Sequence, residues 1–236
     1  MRNSRQRAVK ATPFRPPACA FGQSLTGNSN RRVLNTECET HVTAVVLAAG
    51  TSSRMGAANK LLLPLGGTLI VAHVVEIVRA APVADVVVVT GHEQAAVEAA
   101  LARRPVRLVH NADYDSGMAS SIRRGVEAAA PETDGIMIVL GDMPLVRVQT
   151  VQRLCERFAA ASRPAIVAPV RGGRRGHPVL FDAAFRDELR RLRGDEGARP
   201  VVRAHAATPT VAAVDDPGIF RDVDTRAAYD ALRRDA

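Results

Sequence analysis

Three short stretches of the chain carry residues that could hold a polyanion or a metal ion. The first, VVLAAGTSSRMGAANK (45–60), passes from an apolar run into small residues, hydroxyls and two cations, Arg54 and Lys60. Gly50 and Gly56 let the backbone approach a ligand closely, and successive loop N–H groups beside Arg and Lys favour an anion. The spacing matches neither the dinucleotide-binding fingerprint nor the Walker A pattern. The alternative is a tight strand-to-helix connection with two surface cations.

The other two stretches carry carboxylates. GDMP (141–144) follows an apolar run, and an aspartate at that point suits Mg²⁺, which prefers one or two carboxylates plus phosphate oxygens and water. DVDT (222–225) lies near the end of the chain, and Asp222 or Asp224 could supply a second metal ligand. The structural alternatives are that Asp142 caps the helix after GDMP and that Asp224 caps the final helix.

Small and polar residues also follow two further apolar runs. TGH (90–92) follows one, and NAD (111–113) follows the next, before DSGMASS (115–121) opens a helix. Residues of this kind at a helix start can offer N–H groups to a phosphate or a base edge, although they are also ordinary caps. Because the carboxyl ends of parallel strands share one edge of a sheet, TGH, NAD and DSGMASS together indicate a nucleotide cleft.

The hydrophobic pattern predicts a sheet that would bring these stretches together. Apolar runs alternate with amphipathic stretches four times, which is typical of crossover units and a mostly parallel sheet covered on both faces. The fold class is therefore α/β, a Rossmann-like three-layer sandwich. Strands are predicted at 43–48, 85–89, 106–109, 136–140 and 165–170, and helices at 68–80, 93–103, 119–130 and 147–161. The less regular tail predicts a strand at 178–181, a helix at 182–192, a strand at 210–214 and a helix at 225–234.

Residues 1–41 lack this periodicity and are rich in Arg, Pro, Ser and Asn, which predicts a disordered basic extension before a single domain at 42–236. The alternatives are a transit peptide and a mis-assigned start. Up to residue 42 the chain holds five of its net +8 charges, and the ordinary remainder argues against nucleic acid or membrane as partners. The three cysteines lack a metal-ligand spacing, which favours a reducing cytoplasm and a core position for Cys155.

With these stretches identified, VLAAGTSSRMGAANKLLLPLGG resembles the L-A-x-G-x-S-x-R-M-G-x-x-K-x-L signature of the nucleotidyltransferases that share the molybdenum-cofactor guanylyltransferase fold. The branch it looks most like is the molybdenum cofactor cytidylyltransferases. The resemblance covers about 43 to 232. Further similar segments are HNADYDSGMASSIRRGV (110–126), VLGDMPLV (139–146), GRRGHPVLF (173–181), GDEGARPVV (194–202) and DVDTRAAYDAL (222–232).

The resemblance implies a nucleotide-diphospho-sugar transferase-like fold and a site that can be named residue by residue. The catalytic residues implied are Arg54, Lys60 and Asp142, with Mg²⁺ on Asp142 and on Asp222 or Asp224. The acceptor-binding positions are Arg175, His177 and Pro178. The nucleotide-binding positions are Leu47, Ala48, Ala49, Gly50, Thr51, Ser52, Ser53, Arg54, Lys60, Thr90, Gly91, Asn111, Gly117, Ser121 and Gly141.

The activity implied is Mg²⁺-dependent transfer of CMP from CTP to the terminal phosphate of molybdenum-bound molybdopterin, with release of pyrophosphate. Ala49 favours CTP, since the guanylyltransferases usually carry two glycines at 49–50. The sequence departs from its relatives at His177, where Asn is often found, and at Arg226, where Pro is common. Alternatives are guanylyl transfer, a sugar- or alcohol-phosphate acceptor, a non-catalytic chaperone that delivers the molybdenum cofactor to a molybdenum hydroxylase, and a nucleic-acid-binding module.

Overall fold

The computed structural model describes residues 40–52, 55, 59–205 and 209–235. The predicted extension therefore lies outside the described residues up to residue 39. The strands are β1 (Val42–Ala48), β2 (Pro64–Leu65), β3 (Thr68–Leu69), β4 (Asp85–Thr90), β5 (Arg107–His110), β6 (Gly135–Leu140), β7 (Ile166–Arg171), β8 (Arg174–Arg175), β9 (Val179–Asp182) and β10 (Pro209–Ala213). The helices are α1 (Ile70–Arg79), α2 (Gln94–Leu101), α3 (Met118–Ala128), α4 (Val148–Ala159), α5 (Arg186–Arg190), α6 (Arg199–Ala204) and α7 (Arg226–Asp235).

The central sheet has the strand order β10-β7-β9-β6-β1-β4-β5, with β8 beside β7. Strand β1 pairs in parallel with β4 on one side and with β6 on the other. Its sequence, VTAVVLA, is almost wholly buried, as a β-branched strand covered on both faces should be. The predicted α/β fold with a mostly parallel sheet is confirmed.

Helices cover both faces of this sheet, and alternate residues of β1 therefore pack into two different cores. Val46 packs in a core that includes Leu154 of α4 together with residues of α1 and α2. Val45 packs in the opposite core, which includes Ile122 of α3 and Leu189 of α5. The three-layer arrangement follows from this period-two alternation. Within the described ranges, no helix is long and apolar enough to cross a membrane.

The second half of the chain differs most from the predicted elements. Strand β9 runs antiparallel between β6 and β7, because the chain returns from β7 through the short β8 hairpin and has no room for a crossover helix. The helix predicted at 182–192 is shorter, since Asp182 ends β9 and α5 begins only at Arg186. Helix α6 was not predicted. Residues 68–69, predicted as helix, form β3 of a small hairpin with β2.

This hairpin anchors the last helix of the chain. Tyr229 and Leu232 of α7 pack with Leu65 and Ile70 in a separate small core that also contains Val223. The hydroxyl of Tyr229 donates to the carbonyl oxygen of β2 at position 64, at 2.7 Å. The segment just before α7 is thereby held close to the 3₁₀ turn Lys60–Leu62, which places the DVDT carboxylates beside the loop after β1.

Candidate functional site

The carboxyl ends of β1, β4 and β6 lie side by side at one edge of the sheet. Ala48 is in register with Thr90, and Leu47 with Leu140. The backbone N–H of Gly141 donates to the carbonyl oxygen of Leu47 at 3.0 Å, and a Cβ at Gly141 would lie only 2.6 Å from that oxygen. Glycine alone permits so close an approach. The residues that follow these strands therefore meet at the edge where ligands bind in such sheets.

The loop after β1 begins in an open position. Leu47 and Ala48 belong to the strand, whereas Gly50 and Thr51 are exposed. A Cβ at Gly50 would have nothing within 4 Å, so the backbone here is accessible to a ligand. Two predicted site residues of this loop, Ser53 and Arg54, lie outside the described residues.

Ser52 and Asn59 fix the point at which the loop returns to the sheet edge. Ser52 adopts a left-handed backbone with φ of 54°, and its hydroxyl accepts from the backbone N–H of Lys60 at 3.2 Å. The Asn59 Oδ1 accepts from the backbone N–H of Leu61 at 3.1 Å. Asn59 is 6% exposed, and its Nδ2 has no hydrogen-bond partner in the described part of the chain. Ser52 therefore holds the backbone of Lys60 and Asn59 holds that of the next residue, Leu61. This role of Asn59 could not be predicted from the sequence, because loop asparagines are usually turn residues.

Lys60 joins carboxylates from two distant parts of the chain. Its Nζ donates to Asp142 Oδ2 and, at 2.5 Å, to Asp224 Oδ1. The three side chains are 14%, 16% and 21% exposed, respectively. Burial acts to lower the pKa of Lys60, but the charges and hydrogen bonds of Asp142 and Asp224 outweigh it, and the pKa is raised above its ordinary value. Lys60 is therefore a cation at neutral pH, held between two hard oxygen donors.

The segment that carries Asp224 is tied directly to Asp142. The backbone N–H of Val223 donates to the carbonyl oxygen of Asp142 at 2.9 Å. Positions 222–224 do not form a strand, which would have turned Asp222 and Asp224 to the same face. Asp224 contacts Lys60, whereas Asp222 is exposed. Burial raises the pKa of Asp222, and the charges of Asp224 and Asp142 raise it further. Asp222 therefore lies within the same region of negative charge.

Capping of the neighbouring helices is carried out by other residues. Asp216 caps the first turn of α4, where its Oδ2 accepts from the backbone N–H of Arg147 at 2.8 Å and from the hydroxyl of Thr150 at 2.6 Å. In α7, Thr225 Oγ1 accepts from the backbone N–H of Ala228 at 3.2 Å. The alternative in which the GDMP aspartate caps the following helix is therefore wrong.

Thr90 is the last residue of the adjacent strand β4, and Gly91 follows it. The Thr90 side chain is buried and donates to Glu98 Oε1 in α2 at 3.2 Å. A Cβ at Gly91 would lie 2.7 Å from Tyr114 Cβ and 2.8 Å from Ala49 Cβ. Ala49, which is 4% exposed, therefore directs its methyl group at the backbone of Gly91. Any effect of this methyl group on the choice of base would act through the packing of these two strand ends.

Three predicted nucleotide-binding residues, Asn111, Gly117 and Ser121, follow β5 and make close contacts within the protein. The Nδ2 of Asn111 donates to the hydroxyls of Ser120 at 2.8 Å and Ser121 at 3.0 Å, and all three residues are buried. Gly117 has φ of 105°, and a Cβ there would lie 2.6 Å from the carbonyl oxygen of Gly194. In this state, nucleotide contacts at these positions would fall to the backbone.

The predicted acceptor residues divide into two groups. Arg175 lies exposed on the short strand β8, whereas His177 and Pro178 are more buried. The Nδ1 of His177 is buried and has no hydrogen-bond partner among the described residues. Burial, and next the charge of Arg199, lowers the pKa of His177, while the charge of Asp142 acts in the opposite direction. The structure thus brings a neutral His177 close to the lysine–carboxylate cluster.

The segment GDEGAR (194–199), which is similar to the family but has no predicted role, lies on the acceptor side. The Asp195 carboxylate accepts from the backbone N–H of Met118 at 2.9 Å, and the carbonyl oxygen of Gly194 accepts from that of Ala119 at 3.0 Å. These contacts tie the segment that leads to Arg199 to the first turn of α3. The GDEGAR sequence was the available signal for this docking.

The carboxylates fit a hard divalent cation. Across residues 40–52, 55, 59–205 and 209–235, no group of three or more His, Cys, Asp or Glu side chains is arranged to hold a metal ion. Asp142 and Asp224 both contact the Lys60 ammonium. Two carboxylates, completed by phosphate oxygens and water, are the donor set that Mg²⁺ takes in nucleotide sites. The site therefore suits a metal that arrives with a phosphorylated ligand.

Solved structures share this architecture. A nucleotidyl transferase from Methanothermobacter thermautotrophicus aligns with a TM-score of 0.73 at 29% identity, covering 83% of this chain and 97% of its own. Rv0371c from Mycobacterium tuberculosis H37Rv, solved in complex with manganese, aligns with a TM-score of 0.72 at 30% identity, covering 84% of this chain and all of its own. The fold is that of a nucleotidyltransferase.

Sequence comparisons identify the family. Residues 44–209, more than half of the chain, match the MobA-like NTP transferase domain, and the protein belongs to this family. It is 36% identical over 190 residues to nicotine blue oxidoreductase of Paenarthrobacter nicotinovorans, covering 78% of this chain and 92% of the relative. It is 31% identical over 207 residues to the purine catabolism protein PucB of Bacillus subtilis strain 168, covering 82% and 97%.

Proposed function

We propose that the protein transfers CMP from CTP to the terminal phosphate of molybdenum-bound molybdopterin and releases pyrophosphate. The observation that carries the proposal is the convergence of Lys60, Asp142 and Asp224 at the strand edge below the open loop of Gly50. A site that combines a cation, two hard oxygen donors and accessible backbone amides is suited to a triphosphate. The relationship to the MobA-like domain supports the same reaction class.

In this reaction, an oxygen of the acceptor phosphate attacks the α-phosphorus of CTP, and the bond from that phosphorus to the β-phosphate oxygen breaks. Two polyanions must meet, so neutralising charge is the main catalytic task. The loop amides and the Lys60 ammonium would hold the β- and γ-phosphates and stabilise the leaving pyrophosphate. The attacking phosphate, with a second pKa near 6, is already ionised at neutral pH. No histidine therefore needs to act as a general base.

Mg²⁺ would be held by Asp142 and Asp224, with Asp222 close by. When bound, it would neutralise the charge that develops on the phosphate oxygens and align the reactants. The manganese complex of the mycobacterial relative supports a divalent cation in this family. The hard-oxygen donor set favours Mg²⁺ or Mn²⁺ over softer metals.

The acceptor would lie on the His177 side of the cluster. His177 interacts electrostatically with Asp142, and its side chain is only partly buried, so the exposed part of the ring could contact the incoming molecule. The charge of Arg199 on the same side favours an anionic acceptor. Arg175 and Pro178 would complete this side, and a molybdenum hydroxylase in the cytoplasm would be the client of the product.

The choice of nucleotide rests on Ala49, which favours CTP over GTP. Thermal shifts measured with each nucleotide and Mg²⁺ separate the two: a larger shift with CTP supports the proposal, and a larger shift with GTP makes the protein a guanylyltransferase. A chaperone of the molybdenum cofactor would bind CTP without turnover. The name of the Paenarthrobacter relative, an oxidoreductase, belongs to another reaction class. A sugar- or alcohol-phosphate acceptor is tested in the same pyrophosphate assay.

Asp142→Asn should lower pyrophosphate release from CTP and molybdopterin by at least about 100-fold, the loss typical of removing one group that stabilises transition-state charge. The amide keeps the shape of the side chain but removes its charge. Pyrophosphate release with Mg²⁺ is the readout, and an unchanged melting temperature shows that the fold is intact. Asp85→Asn is the matched control, since Asp85 begins β4 at the opposite sheet edge and pairs with Arg107. Full turnover by Asp142→Asn would remove Asp142 from the metal role.

A further inference from the structure

We propose that the Lys60 ammonium occupies the divalent-cation position while no nucleotide is bound, and that it opens this position by moving to the triphosphate. The inference rests on the proposed function only in taking a nucleoside triphosphate as the ligand. It assigns Lys60 a second role, that of excluding a free metal ion from the two carboxylates. Metal binding would then depend on nucleotide binding.

First, Lys60 Nζ contacts both carboxylates that would bind the metal. The ammonium donates to one oxygen of Asp142 and to one oxygen of Asp224, at 2.5 Å for the second. These carboxylates come from the end of β6 and from the segment before α7, and Lys60 is the group that both contact. A divalent cation shared by the two aspartates would need the same space between them. Like charges this close repel strongly, even where the effective dielectric constant is about 20, so the ammonium and the metal exclude each other.

The charge of the cluster carries the second step. With Lys60 in place, the two aspartates and the ammonium carry one net negative charge, and without it they carry two. The three paired side chains are only 14–21% exposed, so water screens their interactions weakly. Removing the ammonium therefore turns a weak cation site into a strong one.

Third, the backbone of Lys60 is fixed while its side chain can turn. Its backbone N–H is fixed by the Ser52 hydroxyl at 3.2 Å, while its long side chain ends in a point charge that can turn to a new partner. The loop that begins at Gly50 is the expected seat of the phosphates, and triphosphate oxygens would compete with the aspartates for the ammonium. Each ligand then favours the other, since coupling between two sites is reciprocal.

Mn²⁺ binding to the nucleotide-free protein, followed by electron paramagnetic resonance, tests this exclusion. Lys60→Met should bind Mn²⁺ alone at least about tenfold more tightly than the unsubstituted protein, because a unit charge beside the metal is removed. Arg104→Met is the matched control: it also removes one positive charge, but from a guanidinium paired with Glu76, and it should leave Mn²⁺ affinity unchanged. Adding Asp142→Asn to Lys60→Met should abolish the gain. Equal Mn²⁺ affinity in the unsubstituted protein and Lys60→Met would overturn the proposal.

Two further measurements keep the result decisive. If Lys60→Met does not fold, as judged by circular dichroism, Lys60→Gln replaces it, because its amide can still hydrogen-bond one carboxylate without a charge. Pyrophosphate release by the unsubstituted protein is measured separately. Turnover together with unchanged Mn²⁺ affinity in the variant defeats the exclusion alone. A gain in Mn²⁺ affinity without any turnover defeats the proposed function alone.

Discussion

At the scale of single residues, charge and burial decide what each side chain of the site can do. Lys60 remains charged because two aspartates compensate for its burial. His177 is kept neutral by burial and by the charge of Arg199. Ala49, the residue on which the preference for CTP rests, packs its methyl group against Gly91 instead of exposing it to the open loop. Its effect on the nucleotide would therefore be indirect, through the spacing of two strand ends.

Cys155 provides a residue-scale prediction about reactivity. It is 8% exposed in α4, and burial, with a smaller contribution from the charge of Glu156, raises the pKa of its thiol to about 12. Only the thiolate reacts with disulfide reagents. In a protein with Cys19 and Cys38 replaced by Ser, Ellman's reagent at pH 8 should detect no thiol in the native state and one in urea. Rapid reaction of the native protein would contradict the buried position of Cys155.

At the scale of elements, most strands and helices in the first two thirds of the domain could be predicted from sequence. Strong valine runs and amphipathic stretches identify β1, β4, β6, α1 and α4 within a few residues, because each buries one consistent face. The later elements were harder to predict. The antiparallel β9, the short α5 and the unpredicted α6 depend on how the chain packs against the rest of the sheet, and their local patterns are weak.

The cap of α4 gives an element-scale prediction. Asp216 is 2% exposed and accepts from the backbone N–H groups of Arg147 and Gly218, both at 2.8 Å, and from the Thr150 hydroxyl. Asp216→Ala leaves these donors without their partner, and should lower the free energy of unfolding by about 2–4 kcal/mol. Urea denaturation measures the change.

Asp215 is the matched control for this substitution. Its side chain is 91% exposed and forms a surface ion pair with Arg171. Asp215→Ala should change the free energy of unfolding by less than about 1 kcal/mol. An equal loss in the two variants would show that Asp216 contributes no more to stability than a surface carboxylate.

At the scale of the whole molecule, the candidate site depends on parts of the chain that are far apart in sequence. The lysine, the β6 aspartate and the aspartate before α7 meet because the sheet aligns two strand ends and the hairpin core holds α7 beside them. All of these residues lie within the compact unit formed by residues 39–236. The catalytic machinery proposed for this protein is thus contained in that unit.

A chain shortened to residues 39–236 should therefore keep its pyrophosphate release and its melting temperature. Activity and thermal unfolding of the two chains are compared directly. Binding of duplex DNA is measured alongside at several salt concentrations, because the basic residues before position 39 are the basis of the nucleic-acid alternative. Loss of turnover on shortening would place a required residue in the removed segment. Tight, salt-dependent DNA binding by the longer chain alone would favour that alternative.

The sequence by itself determined the α/β class, the mostly parallel sheet and the family of this protein, because hydrophobic period and local motifs are properties of neighbouring residues. It also identified Lys60, Asp142 and Asp224 as residues able to do phosphate and metal chemistry. Only the tertiary structure decided that these three side chains meet, that Asp216 caps α4, and that Asn111 and Ser121 turn their polar groups inward. Those outcomes depend on contacts across more than 60 residues for the lysine–aspartate pairs and for the Asp216 cap. Local patterns cannot specify such contacts, because they form only when the sheet brings its strand ends together.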